Sequence, residues 1–330
     1  MKRANLFQVC GSSENTGSAV VSSACLHYAR LTRRLCLRRS RYKSVEVIIN
    51  EENKLAFYDC LDGGICACLA GTFSYRSNQR VQKTVEFAPG SDLKFNTDKG
   101  SVRITSWDQS QVDISARIEP PDDVDADYGR RVVEAARIEV TGDARSLTIR
   151  SNFSDVPYRD GEGHSRNTPS IHYEIRAPRN LNLDLGADRC KVEVHGFAGK
   201  IRIDTDRTPV TASDLSGEIQ IKMDRGEATI TKFQGKLDLD TDRTNSDLQA
   251  ARIDGDSRLN IGRGECVMKI PDSQGLTLSA RLGRRENLHN DFGLAVNSIN
   301  DQKNVEGTIN GGGPRLTIEG DRGTIHLKRY

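Results

Sequence analysis

One short phrase is written five times, at a nearly constant interval, between residues 181 and 270. The copies read LDLGADRC, RIDTDRTP, QIKMDRGE, DLDTDRTN and RLNIGRGE. When they are aligned, one column holds an apolar residue at intervals of 18, 18, 18 and 20 residues: Leu185, Ile203, Ile221, Leu239 and Leu259. A fixed period near twenty residues is typical of repeat architectures, so it limits the fold more strongly than any local pattern does.

Each copy divides into two short runs in which apolar and polar residues alternate. In the third copy, Ile219–Ile221 precedes the turn at Asp224–Gly226, and Ala228–Ile230 follows it. Alternation indicates half-buried strands, and Asp and Gly favour tight turns. One copy has too little apolar surface to be stable alone, whereas stacked copies bury a continuous core. We therefore expect an all-β solenoid with about 18–20 residues per rung; the alternative is an antiparallel β-sandwich.

Outside the repeats the pattern changes twice. A single short helix is predicted over residues 126–137, where Tyr128, Val132, Ala135 and Ala136 form an apolar stripe after acidic residues. Later, the segment from Arg284 to Asn304 departs from the period. The orderly pattern begins at Val81, so the sequence predicts a β-strand-repeat domain over 81–330 and an N-terminal extension over 1–80.

Composition and charge limit the partners. Hydrophobic residues make up 36% of the chain and aromatic residues 5%, which suits a thin solenoid better than a thick globular core. Residues 1–80 contain 12 Lys and Arg against 6 Asp and Glu, whereas the rest of the chain contains 36 against 40. Because nucleic-acid binding needs a basic face, the mildly acidic repeat domain argues against a nucleic-acid partner.

The N-terminal extension resembles a targeting sequence in its composition. Residues 1–43 hold nine Lys and Arg, six Ser and one acidic residue, which is typical of a mitochondrial transit peptide. A start site placed too early, or a frame error, is the alternative. A secretory signal fits poorly because Asp59 and Asp62 interrupt the apolar run from Leu55 to Phe73. The cysteines at 60, 66 and 68 lack paired CxxC spacing, so neither a metal nor another cofactor is predicted.

Three segments resemble a mostly bacterial family of unknown function, the "putative adhesin" domains built from β-strand repeats. They are FNTDKGSVRITSWDQSQVDISARIE, the helix DADYGRRVVEAARIEV followed by SLTIRS, and the ending GTINGGGPRLTIEGDRGTIHLKR. The resemblance covers residues 83–330. It implies a right-handed parallel β-helix-like fold and, as an alternative to the mitochondrion, a location at the cell envelope. The family generally has Ser-Gly or Asn-Gly at the turns where this chain has Asp-Arg.

The Asp-Arg pairs form the candidate binding residues. If the rungs stack, equivalent side chains lie ~4.8 Å apart, so the charges form two adjacent columns. In one interpretation the pairs are structural, with Asp bonding turn amides and Arg bridging to the Asp of the next rung. In the other, the columns are a ladder for an acidic glycan. The residues are Arg189, Arg207, Arg225, Arg243, Arg263, Asp188, Asp206, Asp224 and Asp242.

No catalytic motif accompanies these columns. A polysaccharide-active β-helix enzyme, a lyase or glycosidase, is the alternative function, but it needs carboxylates that flank a cleft. The repeat turns are too short to form its walls, so a cleft is expected only at Asp155–Thr168 or Arg284–Asn304. His164 and His289 in these segments lack a nucleophile pattern. The sequence therefore predicts a non-catalytic adhesin-like binding or scaffold domain whose partner is an acidic glycan or another protein.

Overall fold

The chain forms two compact units, Met1–Arg76 and Ser77–Tyr330. The computed structural model describes five strands before residue 78 and, from there, residues 78–157, 167–285, 287–299 and 302–330. Most of segment 1–43, on which the targeting interpretation depends, lies outside the described residues. The second unit contains the whole repeat domain, and its first strand starts two residues before the predicted boundary at Val81.

The first unit is a five-stranded sheet. Its strands are β1 (Phe7–Gln8), β2 (Arg33–Leu35), β3 (Tyr42–Ile49), β4 (Leu55–Leu61) and β5 (Ala67–Gly71). They pair in the order in which they occur in the chain. The first pair is parallel and the other three are antiparallel.

The second unit is all-β with one short helix. Before the repeats it contains β6 (Gln79–Glu86), β7 (Asp92–Thr97), β8 (Gly100–Trp107), β9 (Gln111–Glu119), α1 (Ala126–Ala135), β10 (Arg137–Gly142), β11 (Ser146–Asn152) and β12 (Ser170–Pro178). The repeats form β13 (Asn182–Asp188), β14 (Cys190–His195), β15 (Ala198–Asp206), β16 (Val210–Ser213), β17 (Ser216–Met223), β18 (Gly226–Thr241), β19 (Thr244–Ile253) and β20 (Ser257–Ile270). The end of the chain contributes β21 (Leu276–Leu282), β22 (Asn287–Asn290), β23 (Asn297–Ile299), β24 (Gln302–Ile309) and β25 (Arg315–Arg329).

The repeats stack as their spacing predicts. Leu185 pairs with Ile203, Ile203 with Ile221, Ile221 with Leu239 and Leu239 with Leu259, always between parallel strands. All five side chains are fully buried. Each rung therefore places the same apolar residue on the core face directly above its equivalent in the rung before.

The strands form two walls around one core. The first wall has the order β10-β11-β7-β13-β15-β17-β18-β20-β25-β21-β24-β23, and the second β6-β9-β12-β8-β14-β16-β18-β19-β20-β25-β22. β18, β20 and β25 are long enough to run from one wall into the other, which makes the whole a single twenty-strand sheet. The walls pack directly on each other, since the rings of Phe95 and Tyr173 meet edge-on with centroids 4.9 Å apart.

The sheet is mixed, which differs from a uniformly parallel solenoid. Within the repeats the pairing is parallel, but β6–β9, β9–β12 and β10–β11 are antiparallel, as are β21–β24 and β23–β24 at the other end. Antiparallel neighbours can be joined by short turns, whereas parallel neighbours need the full circuit of a rung. The two-walled packing is compatible with the sandwich alternative as well.

The predicted helix is present and two residues shorter than expected. It begins after Asp125, whose carboxylate accepts a hydrogen bond from the backbone N–H of Tyr128 at 2.8 Å and caps the first turn. It ends at Ala135, because Ala136 is already extended and leads into β10. Among the described residues, no helix is long and apolar enough to cross a membrane.

Candidate functional site

The Asp-Arg columns lie at the turns between the two walls, and each turn requires one residue with positive φ. Where Cys or Thr follows the Arg, the Arg takes this conformation, with φ of 49° at Arg189, 50° at Arg207 and 53° at Arg243. Where Gly follows, the Gly takes it, with φ of 142° at Gly226 and 122° at Gly264. Left-handed backbone favours Gly, so the chain accepts a small strain wherever Arg occupies that position.

The Arg and Asp side chains form one continuous zigzag of ion pairs. Arg207 contacts Asp206 of its own turn at 3.1 Å and Asp188 of the preceding rung at 3.3 Å. The other contacts follow the same rule: Arg189–Asp188 at 3.0 Å, Arg225–Asp224 at 3.2 Å, Arg225–Asp206 at 3.5 Å, Arg243–Asp242 at 3.2 Å, Arg243–Asp224 at 3.2 Å and Arg263–Asp242 at 3.0 Å. The bridges thus run to the preceding rung, not to the next one.

In this set of ion pairs, called the ladder below, Asp side chains of the same two columns neutralise the Arg side chains. Every Arg of the column has at least one Asp partner, and hydrogen bonding to Arg243 holds the pKa of Asp224 below its usual range. Arg263 does the same to the pKa of Asp242 through two parallel hydrogen bonds of 3.0 and 3.1 Å. A polyanion would have to displace these carboxylates in order to reach the guanidinium groups.

In the fifth copy Gly262 stands where the other four have Asp, and a Cβ at this position would lie 2.8 Å from the carboxylate oxygen Oδ1 of Asp242. That oxygen already accepts the hydrogen bond from Nε of Arg263. A side chain at position 262 would therefore push against the bidentate pair at this end of the ladder.

A second and different site lies on the outer face of the second wall. There, β6, β9, β12, β8 and β14 lie side by side, before the repeats proper begin. Their outward side chains surround a cleft of about 680 Å³. A neighbouring cavity of about 360 Å³ shares Gln82, Arg103, Ser115 and Glu174 with it, so the two form one groove along the sheet face.

The strand register sorts the residues of the cleft into rows. The first row crosses five strands in the order Arg80, Arg117, His172, Ser101 and Lys191, each directly opposite the next. Below it runs a second row in the same strand order: Gln82, Ser115, Glu174, Arg103 and Glu193. The first row contains three of the four cations and no carboxylate, and the second row contains Arg103 together with the carboxylates of Glu174 and Glu193.

The positive charges of the cleft are only partly neutralised. Glu193 holds two of them, with Lys191 at 2.8 Å and Arg103 at 2.7 Å, and these bonds lower the pKa of Glu193 to about 2. Arg117 pairs with Glu119 at 3.0 Å. Arg80 has no carboxylate partner among the described residues, although it lies directly opposite Arg117. Like charges on opposite positions destabilise a strand pair.

A hydrogen-bonded triad joins two residues of the first row, Ser101 and His172, to Glu119, which lies outside that row. Oγ of Ser101 is 2.8 Å from Nδ1 of His172, and Nε2 of the same ring is 3.2 Å from a carboxylate oxygen of Glu119. The three side chains come from three adjacent strands, β8, β12 and β9. The side chains of His172 and Glu119 are 31% and 23% exposed, so the triad is partly buried but accessible to solvent.

The expectation for the position of a cleft was wrong. Neither of the two non-repeating segments lines this one, and part of the first, residues 158–166 with His164, lies outside the described residues. In the second segment, His289 stacks on His326 with ring centroids 4.9 Å apart. The cleft residues escaped notice because they come from strands distant in sequence. Only the alternation of polar residues along β8, β9 and β12 signalled an outward face.

Comparison with known proteins gives structural neighbours but no family. No protein-family profile and no curated protein matches the chain. Solved structures are similar to it, among them a "putative cell adhesion protein" from Clostridium sporogenes, with 13% identity, 77% of this chain and 100% of that chain covered, and a TM-score of 0.33. A "putative adhesin" from Parabacteroides merdae has 12% identity, coverages of 76% and 96%, and a TM-score of 0.30.

A third neighbour, a "putative lipid binding protein" from Parabacteroides distasonis, has 10% identity, coverages of 76% and 97%, and a TM-score of 0.27. The neighbours are bacterial and most are named as adhesins, in agreement with the family that the sequence resembles. At these identities and scores, the function has to be argued from the residues of this chain.

Proposed function

We propose that the chain is a binding domain whose binding site is the cleft on the second wall, with an acidic glycan as its ligand. Arg80 carries this proposal: it faces Arg117 across the strand pair, borders a concave surface and has no carboxylate partner among the described residues. A carboxylate or sulfate group bound between the two guanidinium groups would relieve their repulsion and accept charge-assisted hydrogen bonds. The repeats then act as a rigid right-handed β-helical support.

The ladder is proposed as a structural part of this support. Its Arg side chains are already bonded to Asp, and such pairs on an exposed surface contribute little to binding or stability. Nothing in its geometry favours the alternative of a lyase or glycosidase. Asp204 and Asp184, for example, lie on an outward strand face beside Arg202, without a cleft between them.

The test compares two double variants that each remove two positive charges. Arg80→Gln with Lys191→Gln alters the cleft, and Arg225→Gln with Arg243→Gln alters the ladder. Binding of oligogalacturonate to the full chain is measured by calorimetry, with a neutral oligosaccharide of the same length as the uncharged control. We expect the cleft variant to bind roughly tenfold more weakly or worse, and the ladder variant to bind as the wild type does.

Other outcomes would contradict the proposal. A loss of affinity confined to the ladder variant would make the ladder the binding site. Equal affinity for the neutral oligosaccharide would show that charge does not determine recognition. For the cellular location, the proposal follows the family resemblance and favours the cell envelope over the mitochondrion; imaging of the tagged full chain distinguishes them.

A further inference from the structure

The triad in the cleft has the order of groups that activates a serine. As a carboxylate, Glu119 can only accept, so in the neutral ring Nε2 of His172 carries the hydrogen that it donates at 3.2 Å. Nδ1 is then unprotonated and accepts the hydrogen bond from Oγ of Ser101 at 2.8 Å. The carboxylate thereby fixes the tautomer in which the imidazole can take the serine proton.

We propose that Ser101, His172 and Glu119 cleave an ester on the anionic ligand of the cleft. This inference rests on the proposed binding function for the position of the substrate, and it adds an activity that the sequence does not predict. Ser101 is the nucleophile, His172 is the general base and then the general acid, and Glu119 is a positioning residue.

The reaction balances without any further cofactor. Oγ of Ser101 bonds to the ester carbonyl carbon while its proton moves to Nδ1 of His172, which produces a tetrahedral oxyanion. The oxyanion collapses, the carbon–oxygen bond of the ester breaks, and the leaving alcohol takes the proton from Nδ1. A water molecule then gives its proton to Nδ1 and attacks the acyl-serine, which releases the acid and restores the Ser101 hydroxyl.

The neighbours of Ser101 in the first row can stabilise the oxyanion. β8 is paired on both sides, with β12 and β14, so its backbone N–H groups are engaged in the sheet. The developing charge must therefore be met by side chains. Lys191 lies directly opposite Ser101, and Arg117 lies directly opposite His172. Opposite side chains on paired strands start ~4.5–5.5 Å apart at Cβ. Lys191 and Arg117 are bonded to Glu193 at 2.8 Å and to Glu119 at 3.0 Å, so the proposed step requires one of them to turn from its carboxylate toward the oxyanion.

The chain contains its own control for a serine–histidine contact. Oγ of Ser213 is 2.8 Å from Nδ1 of His195, on neighbouring strands of the same wall. This pair has the same atoms at the same distance as Ser101 and His172. It lies outside the cleft, and among the described residues no carboxylate bonds to Nε2 of His195. A serine–histidine contact alone is thus common to both sites, and the carboxylate and the cleft distinguish Ser101.

A fluorophosphonate probe tests the proposal on the folded full chain. The phosphorus reagent reacts much faster with activated serines than with ordinary ones, and peptide mass mapping locates the adduct. We expect the extent of labelling at Ser101 to exceed that at Ser213 by tenfold or more. Ser101→Ala should abolish the labelling and the hydrolysis of 4-nitrophenyl hemisuccinate. Glu119→Gln should slow both and lower kcat with little change in KM, because the carboxylate fixes the tautomer of His172 and does not itself line the cleft.

Equal labelling of Ser101 and Ser213, or no labelling of either, would overturn the assignment, and this comparison within one protein needs no variant to fold. Hydrolysis that survives in Ser101→Ala would also overturn it. If oligogalacturonate still binds in the cleft while Ser101 stays unlabelled, the binding proposal stands and the nucleophile alone is wrong.

Discussion

The replacement of Gly217 by Ala tests how tightly the rungs are stacked. Gly199, Gly217 and Gly235 lie above one another with φ of 129°, 111° and 120°. A Cβ at Gly217 would lie 2.3 Å from the backbone oxygen of Gly199, which is much shorter than a van der Waals contact. Two costs therefore add: left-handed strain of about 1–3 kcal/mol and overpacking of about 1–3 kcal/mol. We expect a total destabilisation of about 2–6 kcal/mol.

Gly90 provides the matched control for this experiment. Its φ is 82°, but a Cβ there would meet nothing within 4 Å. Gly90→Ala should therefore lower the free energy of unfolding only by the cost of backbone strain, about 1–3 kcal/mol. The assay is chemical denaturation of the full chain and both variants, followed by the β-type circular dichroism signal. Equal midpoints for the two variants would refute the close backbone contact between rungs.

Three further predictions follow from the ladder, the cysteines and the carboxylates. Arg225→Gln with Arg243→Gln should lower the melting temperature less than Gly217→Ala does; a larger drop, measured by calorimetry, would show that the ladder is a principal source of stability. Cys190 and Cys266 lie four rungs apart, roughly 19 Å at ~4.8 Å per rung. Peptide mapping after oxidation should therefore find no disulfide between them. A Cys190–Cys266 disulfide in the folded protein would contradict the stacking of the rungs. Finally, hydrogen bonds from Lys191 and Arg103 lower the pKa of Glu193 from its ordinary 4.5 to about 2 in the folded chain. The stability from these ion pairs is therefore complete above the unfolded pKa and is lost as the pH falls through the folded one. Glu193→Gln should make the free energy of unfolding less dependent on pH in this acidic range, and an unchanged dependence would contradict this.

The stacking of the repeats was predictable because its cause is local and repeated. The interval of 18 residues between Ile203 and Ile221 places them on the same core position of adjacent rungs, and no long-range information is needed to see this. The antiparallel ends were not predictable in the same way. β9 and β12 pair across more than fifty residues, and neither strand repeats a phrase found elsewhere in the chain.

The candidate site was hidden for the same reason. Ser101, Glu119 and His172 occur in three separate polar positions of three strands, and only the register of the sheet brings them into contact. By contrast, the Asp-Arg columns are conspicuous in the sequence because they repeat. In the structure their Arg side chains contact Asp residues of the same or the preceding rung, as Arg243 does with Asp224. The proposed chemistry depends instead on residues that occur once.

The most direct test of the account is to locate the bound ligand on the protein. Backbone amide chemical shifts of the full chain are recorded by NMR while oligogalacturonate is added. The account predicts that the shifts change along the first row of the cleft, at Arg117, His172 and Ser101, and stay constant at the ladder turns. Changes that follow Arg207, Arg225 and Arg243 up the stack, with none in the cleft, would contradict it.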